Sequence, residues 1–458
     1  MASDKTYVFM QIDGEFVPAG LLVVDQDGQG VVSEFAYGRK YLGRKNAVSI
    51  DPRQLPLTNE KFKTVGLFRG FRDATPDGWG RHILDRAAEK YGMRPKEFDY
   101  LTALDPDTRL GALGFGPAPD GQPVSYYPSW RPEKLHGERL DFERLLKAAD
   151  KILSFEELSP DERRYVIRGS SGVGGAQPKA VVDFEQRKWI AKFSREYEVL
   201  PTCRLELAAM NLASRCGIRI PFCKVIQVKA RDVFLVERFD CILAYADRWP
   251  FSDPHSLARQ RAVQEAEPWR RSLDVSKWAN GYRRIHTLSA MTLIGASDMH
   301  RGAYGDIARA IRRYGTPNHI QDDLTELFRR MVFNILCNNS DDHLRNHGFL
   351  YDSEKKGWRL SPAYDIVPQP RQDEGIGADN YRPASLTLDV GEYGRTASLE
   401  NALSRCEEFG LSGSAARAIV QDMTAIVRDG WREENRKAGV PDSKFRLLEE
   451  SYLAALAG

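Results

Sequence analysis

The stretch NNSDDHLRNHGFL, residues 338–350, constrains this 458-residue chain more than any other. It carries side chains that can bind a metal or transfer a proton: Asp341, Asp342, His343, Asn346 and His347. The segment SPAYDIVP, residues 361–368, follows and adds Asp365 in otherwise hydrophobic surroundings. Stability alone rarely requires so many such side chains close together, so these two segments predict a chemical site.

Two kinds of chemistry fit these residues. Hydrolytic metal chemistry would use His343 and His347, which stand at i and i+4 and would share a face if the run were helical. Phosphoryl transfer would use Asp341 to orient and deprotonate a hydroxyl, while Asn346 and the later Asp365 would hold Mg2+. The histidines lack the glutamate of an HExxH motif, and the order of the other three residues favours phosphoryl transfer.

A second informative region lies upstream, where a glycine- and serine-rich loop leads into two predicted strands. The loop and first strand are RGSSGVGGAQPKAVVDF, residues 168–184, and the second strand is WIAKF, residues 189–193, which contains Lys192. Backbone N–H groups of such a loop, beside a strand lysine, are suited to binding a polyphosphate. The sequence has no GxxxxGK[ST] run, so this is not a Walker A loop. An exposed hairpin loop with a surface Lys192 remains an alternative.

The elements that follow complete an ordered pattern. A predicted amphipathic helix, residues 204–216, has Glu206 in its first turn, where the acid would either complement the helix dipole or pair with Lys192. The segment DVFLVERFD, residues 232–240, is apolar enough for a central strand. The glycine loop, the lysine, the glutamate, the apolar strand and the downstream acids follow the order of a two-lobed kinase.

Length and composition limit the class of protein. A chain of 458 residues is too long for one simple core, and 66 basic against 64 acidic residues give no overall charge that would favour a polyanion. The six cysteines form no CxxC pair, which favours reduced, mostly buried thiols. The first residues are too polar for a signal peptide, and no window approaches the roughly 20 apolar residues of a membrane span. We therefore expect a cytoplasmic protein with no membrane partner.

The sequence also resembles the HipA family of bacterial serine/threonine kinase toxins. The similar segments are GGAQPK, WIAKF, LVERFD, RIHTLSAMTLIG, SDDHLRN and PAYDIVP, with TPDGWGR and LGALGF upstream. The resemblance implies an α+β, two-lobed protein-kinase-like fold with a β-rich N-terminal lobe and a mainly α-helical C-terminal lobe. It implies a HipA-type N-terminal subdomain over residues 1–125, a kinase N-lobe with glycine loop and hinge over 126–239, and a helical C-lobe over 240–458.

The resemblance further implies a role for each site residue. Asp341 would be the catalytic base and Lys192 a point charge on the ATP phosphates, while Asn346 and Asp365 would hold Mg2+. Asp342 receives no family role and is predicted to be a solvated turn residue; His347 is predicted to be structural. Glu237 and Phe239 would form a hinge that contacts adenine through backbone atoms. The full set of residues implied to contact the nucleotide is Gly174, Gly175, Ala176, Gln177, Lys179, Lys192, Glu237, Phe239, His343, Arg345 and Tyr364.

Two features depart from the family pattern. The serine that is autophosphorylated in the best-known members falls on Gly172 here, so self-inactivation would require Ser170 or Ser171 to substitute. The region 241–280, directly after the hinge, is also different, and recognition of a peptide substrate there is expected to differ with it.

The function implied by the resemblance is that of a Mg-ATP-dependent protein serine/threonine kinase, the toxin of a toxin-antitoxin pair. Its substrate type would be an aminoacyl-tRNA synthetase, and a small helix-turn-helix antitoxin that binds operator DNA would neutralise it. The alternative is a kinase-shaped binding protein that represses transcription with its partner and has reduced turnover. Because Asp341, Asn346, Asp365 and Lys192 are all present, we favour the active kinase.

Overall fold

The computed structural model describes most of the chain, in two compact units. The first unit comprises residues 1–192 and 237–288, and the second comprises residues 193–236 and 289–458. The predicted division at residues 125/126 and 239/240 stays a prediction. The described residues are 3–27, 30–89, 91–125, 141–170, 175, 177–185, 187–243, 282–297, 301–371 and 383–456. Predicted features that fall outside them are Gly172, Gly174, Ala176, Ser171 and nearly all of the 241–280 region.

A five-stranded antiparallel sheet opens the first unit. Its strands are β1 (Asp4–Ile12), β2 (Glu15–Asp27), β3 (Gly30–Tyr37), β4 (Lys61–Val65) and β5 (Leu113–Gly116). They pair in the order β4-β3-β2-β1-β5. The turn between β1 and β2 places Asp13 and Gly14 at φ 51° and 88°, the left-handed pair that a tight hairpin requires. The sequence predicts this start of the sheet, because YVFMQI and FVPAGLLVV are β-like runs separated by Asp13-Gly14.

The described residues of the first unit also form six helices and two short antiparallel strand pairs. The helices are α1 (Arg39–Leu42), α2 (Arg69–Arg72), α3 (Gly78–Glu89), α4 (Glu97–Ala103), α5 (Phe142–Leu153) and α6 (Pro160–Ser170). Buried side chains of α3, α4, α5 and α6 form one apolar cluster. The paired strands are β6 (Lys179–Phe184) with β7 (Arg187–Phe193), and β10 (Cys241–Leu243) with β11 (Tyr282–Arg284).

Helix α7 (Thr202–Arg215) and the hairpin of β8 (Cys223–Val228) and β9 (Arg231–Glu237) follow β7. The helix ends before Gly217, which takes a left-handed φ of 75°, as its C-terminal glycine predicts. Glu206 is the fifth residue of α7, not part of its first turn, and its side chain is buried. The dipole interpretation of this acid is therefore wrong, because a dipole-stabilised carboxylate lies at the exposed helix start.

The rest of the second unit is mainly helical. Strand β12 (Thr287–Ser289) spans the boundary at residue 288. The described strands that follow it are β13 (Gly348–Asp352), β14 (Gly357–Leu360), β15 (Ala384–Ser385) and β16 (Thr396–Ala397). The helices of this unit are α8 (Ala290–Ile294), α9 (Tyr304–Tyr314), α10 (Ile320–Leu336), α11 (Leu399–Ser404), α12 (Gly413–Lys437), α13 (Phe445–Glu449) and α14 (Leu453–Leu456). The segment YRPASLTLDVG, residues 381–391, has a strand-like sequence, but among its described residues only Ala384–Ser385 form a strand, β15.

A buried ionic network joins the start of α10 to β14. Asp323 accepts hydrogen bonds from Arg219 at 2.7 Å and from Arg359 Nε and Nη2 at 2.9 and 3.1 Å. These guanidinium groups outweigh the effect of burial and hold the pKa of Asp323 below its usual value. One turn later, Glu326 accepts two bonds from Arg330. The network holds the helix that leads into residues 338–350.

All six cysteines are free thiols, and four are buried, as their spacing predicts. Burial raises the pKa of Cys203 and Cys216 to about 12, so these thiols are poor nucleophiles. Among the helices that the structure describes, none combines the length and apolar composition of a bilayer span.

Because His286 is buried, we expect the protein to lose stability in acid. Its Nε2–H donates to the Ile50 carbonyl at 2.9 Å, and burial lowers its pKa to about 4. The folded state therefore favours the neutral ring. The contribution of this ring to the free energy of unfolding is complete above pH 6.5 and is lost as the pH falls toward 4. The shift corresponds to about 3 kcal/mol at the acid end.

The measurement is the free energy of unfolding against pH for wild type and His286→Gln, which keeps an N–H donor but does not titrate. Asp51 has the opposite effect over the same range, because burial raises its pKa to about 6. The contribution of His286 is therefore the difference between the free energies of unfolding of the two proteins. A difference that stays constant from pH 7 to pH 4 would contradict the prediction.

Candidate functional site

The predicted catalytic loop follows directly from the end of α10. Asn338 turns the chain with a left-handed φ of 49°, and a single 3-10 turn, Leu344–Asn346, precedes β13. Within the loop the backbone N–H of Asn346 donates to the His343 carbonyl at 2.8 Å. Asp341 is exposed, whereas Asn346 is buried. The loop thus presents one carboxylate to solvent beside a fixed amide.

The segment that carries Asp365 is fastened to this loop on both sides of that residue. The Tyr364 hydroxyl donates to the Arg345 carbonyl at 2.7 Å, and the Val367 N–H donates to the Asn339 side-chain oxygen at 3.4 Å. Asp365 itself has a left-handed φ of 61°, a strained conformation for an aspartate that the two flanking bonds help to hold. The structure therefore places the Asp365 segment against the loop of Asp341 and Asn346.

These residues have the right atoms for Mg2+. The Nδ2 group of Asn346 donates to the Asp341 carbonyl at 3.3 Å, which leaves its Oδ1 atom for a cation. Amide and carboxylate oxygens are the ligands that Mg2+ prefers, and it commonly takes only one or two from the protein. The Nδ1 atom of His343 is buried and has no hydrogen-bond partner among the described residues, so it can serve a further polar group.

The hydrolytic alternative loses its geometric basis. The run between His343 and His347 is a 3-10 turn, so the two rings do not share the face that an α-helix would give them. The Nε2 atom of His347 is hydrogen-bonded to Asp342 at 2.8 Å. Within the described parts of the chain, no group of three or more His, Cys, Asp or Glu residues could hold a metal.

Asp342 is buried, so the prediction of a solvated turn residue is wrong. Its carboxylate accepts hydrogen bonds from the Tyr304 hydroxyl at 2.5 Å and from His347. Burial alone would raise the pKa of Asp342, but these two neighbours outweigh it and hold the pKa below its usual value. His347 is buried too, as expected of a structural residue. The sequence does not reveal this pair, because an Asp in a polar loop is usually exposed.

In the first unit, the predicted phosphate-binding residues form a compact group. Lys179 on β6 lies directly opposite Lys192 on β7, so both side chains point to the same face of the hairpin. Gly175 is so close to the Lys179 ammonium that a Cβ there would lie 2.8 Å from Nζ. Both lysines are buried, which rules out the surface interpretation of Lys192. Of the predicted loop residues, Gln177 is described and half-buried next to this group.

The glycine loop is held by a turn that the sequence did not assign to the site. The Trp79 N–H donates to the Gly175 carbonyl at 2.7 Å. A Cβ on Gly78, whose φ is +33°, would lie 2.4 Å from the same carbonyl oxygen. The presence of TPDGWGR among the family-like segments was the one signal for this contact.

The segment after β9, predicted to be the adenine hinge, is also anchored. Arg238 lies between the predicted hinge residues Glu237 and Phe239. Its backbone N–H donates to the carbonyl of Lys188 on β7 at 2.9 Å. The Asp240 carboxylate accepts from the Gly111 N–H at 2.7 Å, which ties this segment to LGALGF.

Replacement of Gly78 by alanine is expected to weaken ATP binding, because the new Cβ must displace the Gly175 backbone. Loss of one charge-assisted hydrogen bond to the phosphates, about 1.5 to 3 kcal/mol, would weaken the affinity by roughly 10- to 100-fold. Gly92→Ala is the matched control, since Gly92 also has a left-handed φ of 65° but no atom within 4 Å of its Cβ position. Titration with a fluorescent ATP analogue measures the effect. Equal affinities for both variants would show that the Gly78 contact does not position the loop.

Comparison with known proteins connects these two groups of residues to one family. Residues 171–431 match the HipA-like C-terminal domain, and residues 13–115 match the HipA N-terminal domain. The chain belongs to the HipA family. The fold of this HipA-family chain is similar to that in a solved structure of the Shewanella oneidensis MR-1 toxin-antitoxin system HipA, HipB and its operator DNA complex. That similarity covers 98% of this chain and 96% of the other, with a TM-score of 0.59 and 13% identity.

A curated relative gives a second, shorter similarity. A Haemophilus influenzae protein called "Putative kinase" is 38% identical over 74 residues, which is 16% of this chain and 21% of the relative. The mixed helix and sheet content predicted for the fold agrees with the HipA structure.

Proposed function

We propose that this HipA-family chain is a Mg-ATP-dependent protein serine/threonine kinase. The observation that carries the proposal is the double attachment of the Asp365 segment to the loop of Asp341 and Asn346. Phosphoryl transfer needs a base and two oxygen ligands of a metal in this order along the chain. A purely structural turn needs neither an exposed aspartate nor a strained one.

Each residue has a defined task in this proposal. Asp341 orients the substrate hydroxyl and accepts its proton, while Asn346 and Asp365 hold Mg2+ through their side-chain oxygens. When bound, Mg2+ would neutralise the charge that develops on the phosphate oxygens. His343, Arg345 and Tyr364 line the same loop; the Tyr364 hydroxyl positions it through the Arg345 carbonyl.

The first unit supplies residues suited to the nucleotide. Lys179 and Lys192 lie side by side on one face and create the positive potential that a polyphosphate requires. Because Gly175 has no side chain, its backbone can approach the phosphates closely. Gly174, Ala176 and Gln177 would extend this cradle. Glu237 and Phe239 would contact adenine through their backbones, on either side of the anchored Arg238.

Partners follow from the family. The Shewanella oneidensis HipA was solved in a complex with HipB and operator DNA. By analogy, we infer that this chain is the toxin of a toxin-antitoxin pair whose small helix-turn-helix antitoxin binds it and mediates its contact with operator DNA. An aminoacyl-tRNA synthetase is the substrate type that the resemblance implies.

The test is incubation of the purified protein with a bacterial lysate and ATP labelled in the γ-phosphate. Wild type should label protein at serine or threonine in the presence of Mg2+, and Asp341→Ala should not. Equal labelling by both proteins would contradict the role of Asp341. Binding of ATP without any labelled protein would instead support the co-repressor alternative.

A further inference from the structure

A buried hydrogen bond connects the two residues that adjoin the proposed base and the proposed metal ligand. Asp342 follows Asp341, His347 follows Asn346, and the His347 Nε2–H donates to the Asp342 carboxylate at 2.8 Å. The far end is fixed as well, because the Ala290 N–H donates to the His347 carbonyl at 2.8 Å. The bond therefore closes the segment 342–347, which contains Asn346 and directly follows Asp341.

Two helices support this pair from behind. The Tyr304 hydroxyl on α9 donates to Asp342, and the same oxygen accepts from Asn334 of α10 at 3.1 Å. Asn334 in turn accepts from the Asn339 side-chain amide at 3.0 Å, where the loop begins. The chain of bonds runs from rigid helices into the loop, which is the arrangement that fixes a functional side chain through a neighbour.

Stability alone does not explain an acid in this place. Burying a carboxylate is costly even when it is paired, and a well-packed apolar side chain usually serves stability as well or better. Inside the loop, Asn346 donates to the carbonyls of His343 and Asp341, the latter at a long 3.3 Å. The bond between Asp342 and His347 adds a directional restraint between two fixed points.

We propose that Asp342 and His347 form a positioning pair that holds Asn346 in place beside the proposed base Asp341 and so maintains the metal site. This inference rests on the proposed function, because it takes Asn346 as a Mg2+ ligand. Neither residue of the pair touches substrate or metal. Loss of the pair should weaken the metal site and leave nucleotide contacts of the first unit intact.

The experiment measures Mn2+ affinity by electron paramagnetic resonance in the presence of a nonhydrolysable ATP analogue. His347→Phe removes the donor and should weaken Mn2+ binding by about 10- to 100-fold, the usual effect of losing a residue that orients a ligand. His347→Gln retains an N–H donor at the same place and should restore most of the affinity. Tyr304→Phe removes the supporting bond to Asp342 but keeps the bond to His347, so it should lower Tm and weaken Mn2+ binding less than His347→Phe does.

Wild-type Mn2+ affinity in His347→Phe would overturn the proposal. So would an equal loss in Tyr304→Phe, because a general effect of the buried network would then explain both. If His347→Phe does not fold, Asp342→Ala, which removes the acceptor, gives the same comparison, and Asp342→Asn, which keeps an acceptor oxygen, should retain most of the Mn2+ affinity. Wild-type protein that binds Mn2+ and nucleotide but transfers no phosphate would refute the proposed kinase function and leave the positioning pair standing.

Discussion

Asp341→Asn is expected to lose nearly all phosphoryl transfer and to bind Mg-ATP as wild type does. The amide has the shape of the carboxylate and can still contact a hydroxyl, but it cannot accept its proton. General bases contribute about 100- to 10,000-fold to the rate, so we expect kcat to fall within that range. The exposed position of Asp341 means that the substitution leaves no buried group unpaired.

Two measurements separate this effect from misfolding. Steady-state kinetics with a labelled protein substrate give kcat, and calorimetric titration with an ATP analogue gives the affinity. Asp429→Asn changes another exposed aspartate of the second unit, which pairs with its neighbour Arg428, and should retain full activity. A kcat of Asp341→Asn equal to that of wild type would remove Asp341 from the mechanism.

The second large effect concerns stability, because Asp240→Ala leaves the buried Arg238 without its counter-charge. The Asp240 carboxylate accepts from Arg238 Nε and Nη2 at 3.0 and 2.7 Å, and also from the Gly111 N–H. The Arg238 side chain is 0% exposed and that of Asp240 only 4%, so water cannot replace the lost bonds. Removal of one partner from such a pair costs about 3 to 5 kcal/mol.

Chemical denaturation measures this loss as a change in the free energy of unfolding. The control is Glu449→Ala, which breaks an exposed ion pair with Arg432 and should cost about 1 kcal/mol or less. A similar small loss for Asp240→Ala would show that the Arg238 pair does not hold the segment after β9. Because Glu237 and Phe239 adjoin Arg238, we also expect weaker ATP binding in this variant.

The sequence predicts regular elements well where one local pattern determines them. The buried face of α10, the start of α5 after Asp141 and the end of α7 before Gly217 all agree with periodicity and capping residues. Shorter elements in polar surroundings are less predictable, as the strand expected in residues 381–391 illustrates. There the chain makes hydrogen bonds to distant loops, for example from Thr387 to the Ser340 carbonyl at 2.9 Å.

The candidate site likewise has features that the sequence predicts and features that it does not. The residue types and order of Asp341, Asn346 and Asp365 are visible in the sequence, because chemistry restricts them. The burial of Asp342 is not visible, since it depends on Tyr304, 38 residues earlier. The contact of Gly78 with Gly175 is equally hidden, because two glycines carry no side-chain pattern that indicates a partner.

The most direct test of the account is an experimental structure with Mg2+ and a nonhydrolysable ATP analogue. We predict one Mg2+ ion at about 2.0 to 2.1 Å from Asn346 Oδ1 and an Asp365 carboxylate oxygen, the distance typical of Mg2+. Asp341 should face the terminal phosphate without binding the metal. A metal held by other residues, with Asn346 and Asp365 turned away from it, would contradict the proposed kinase site.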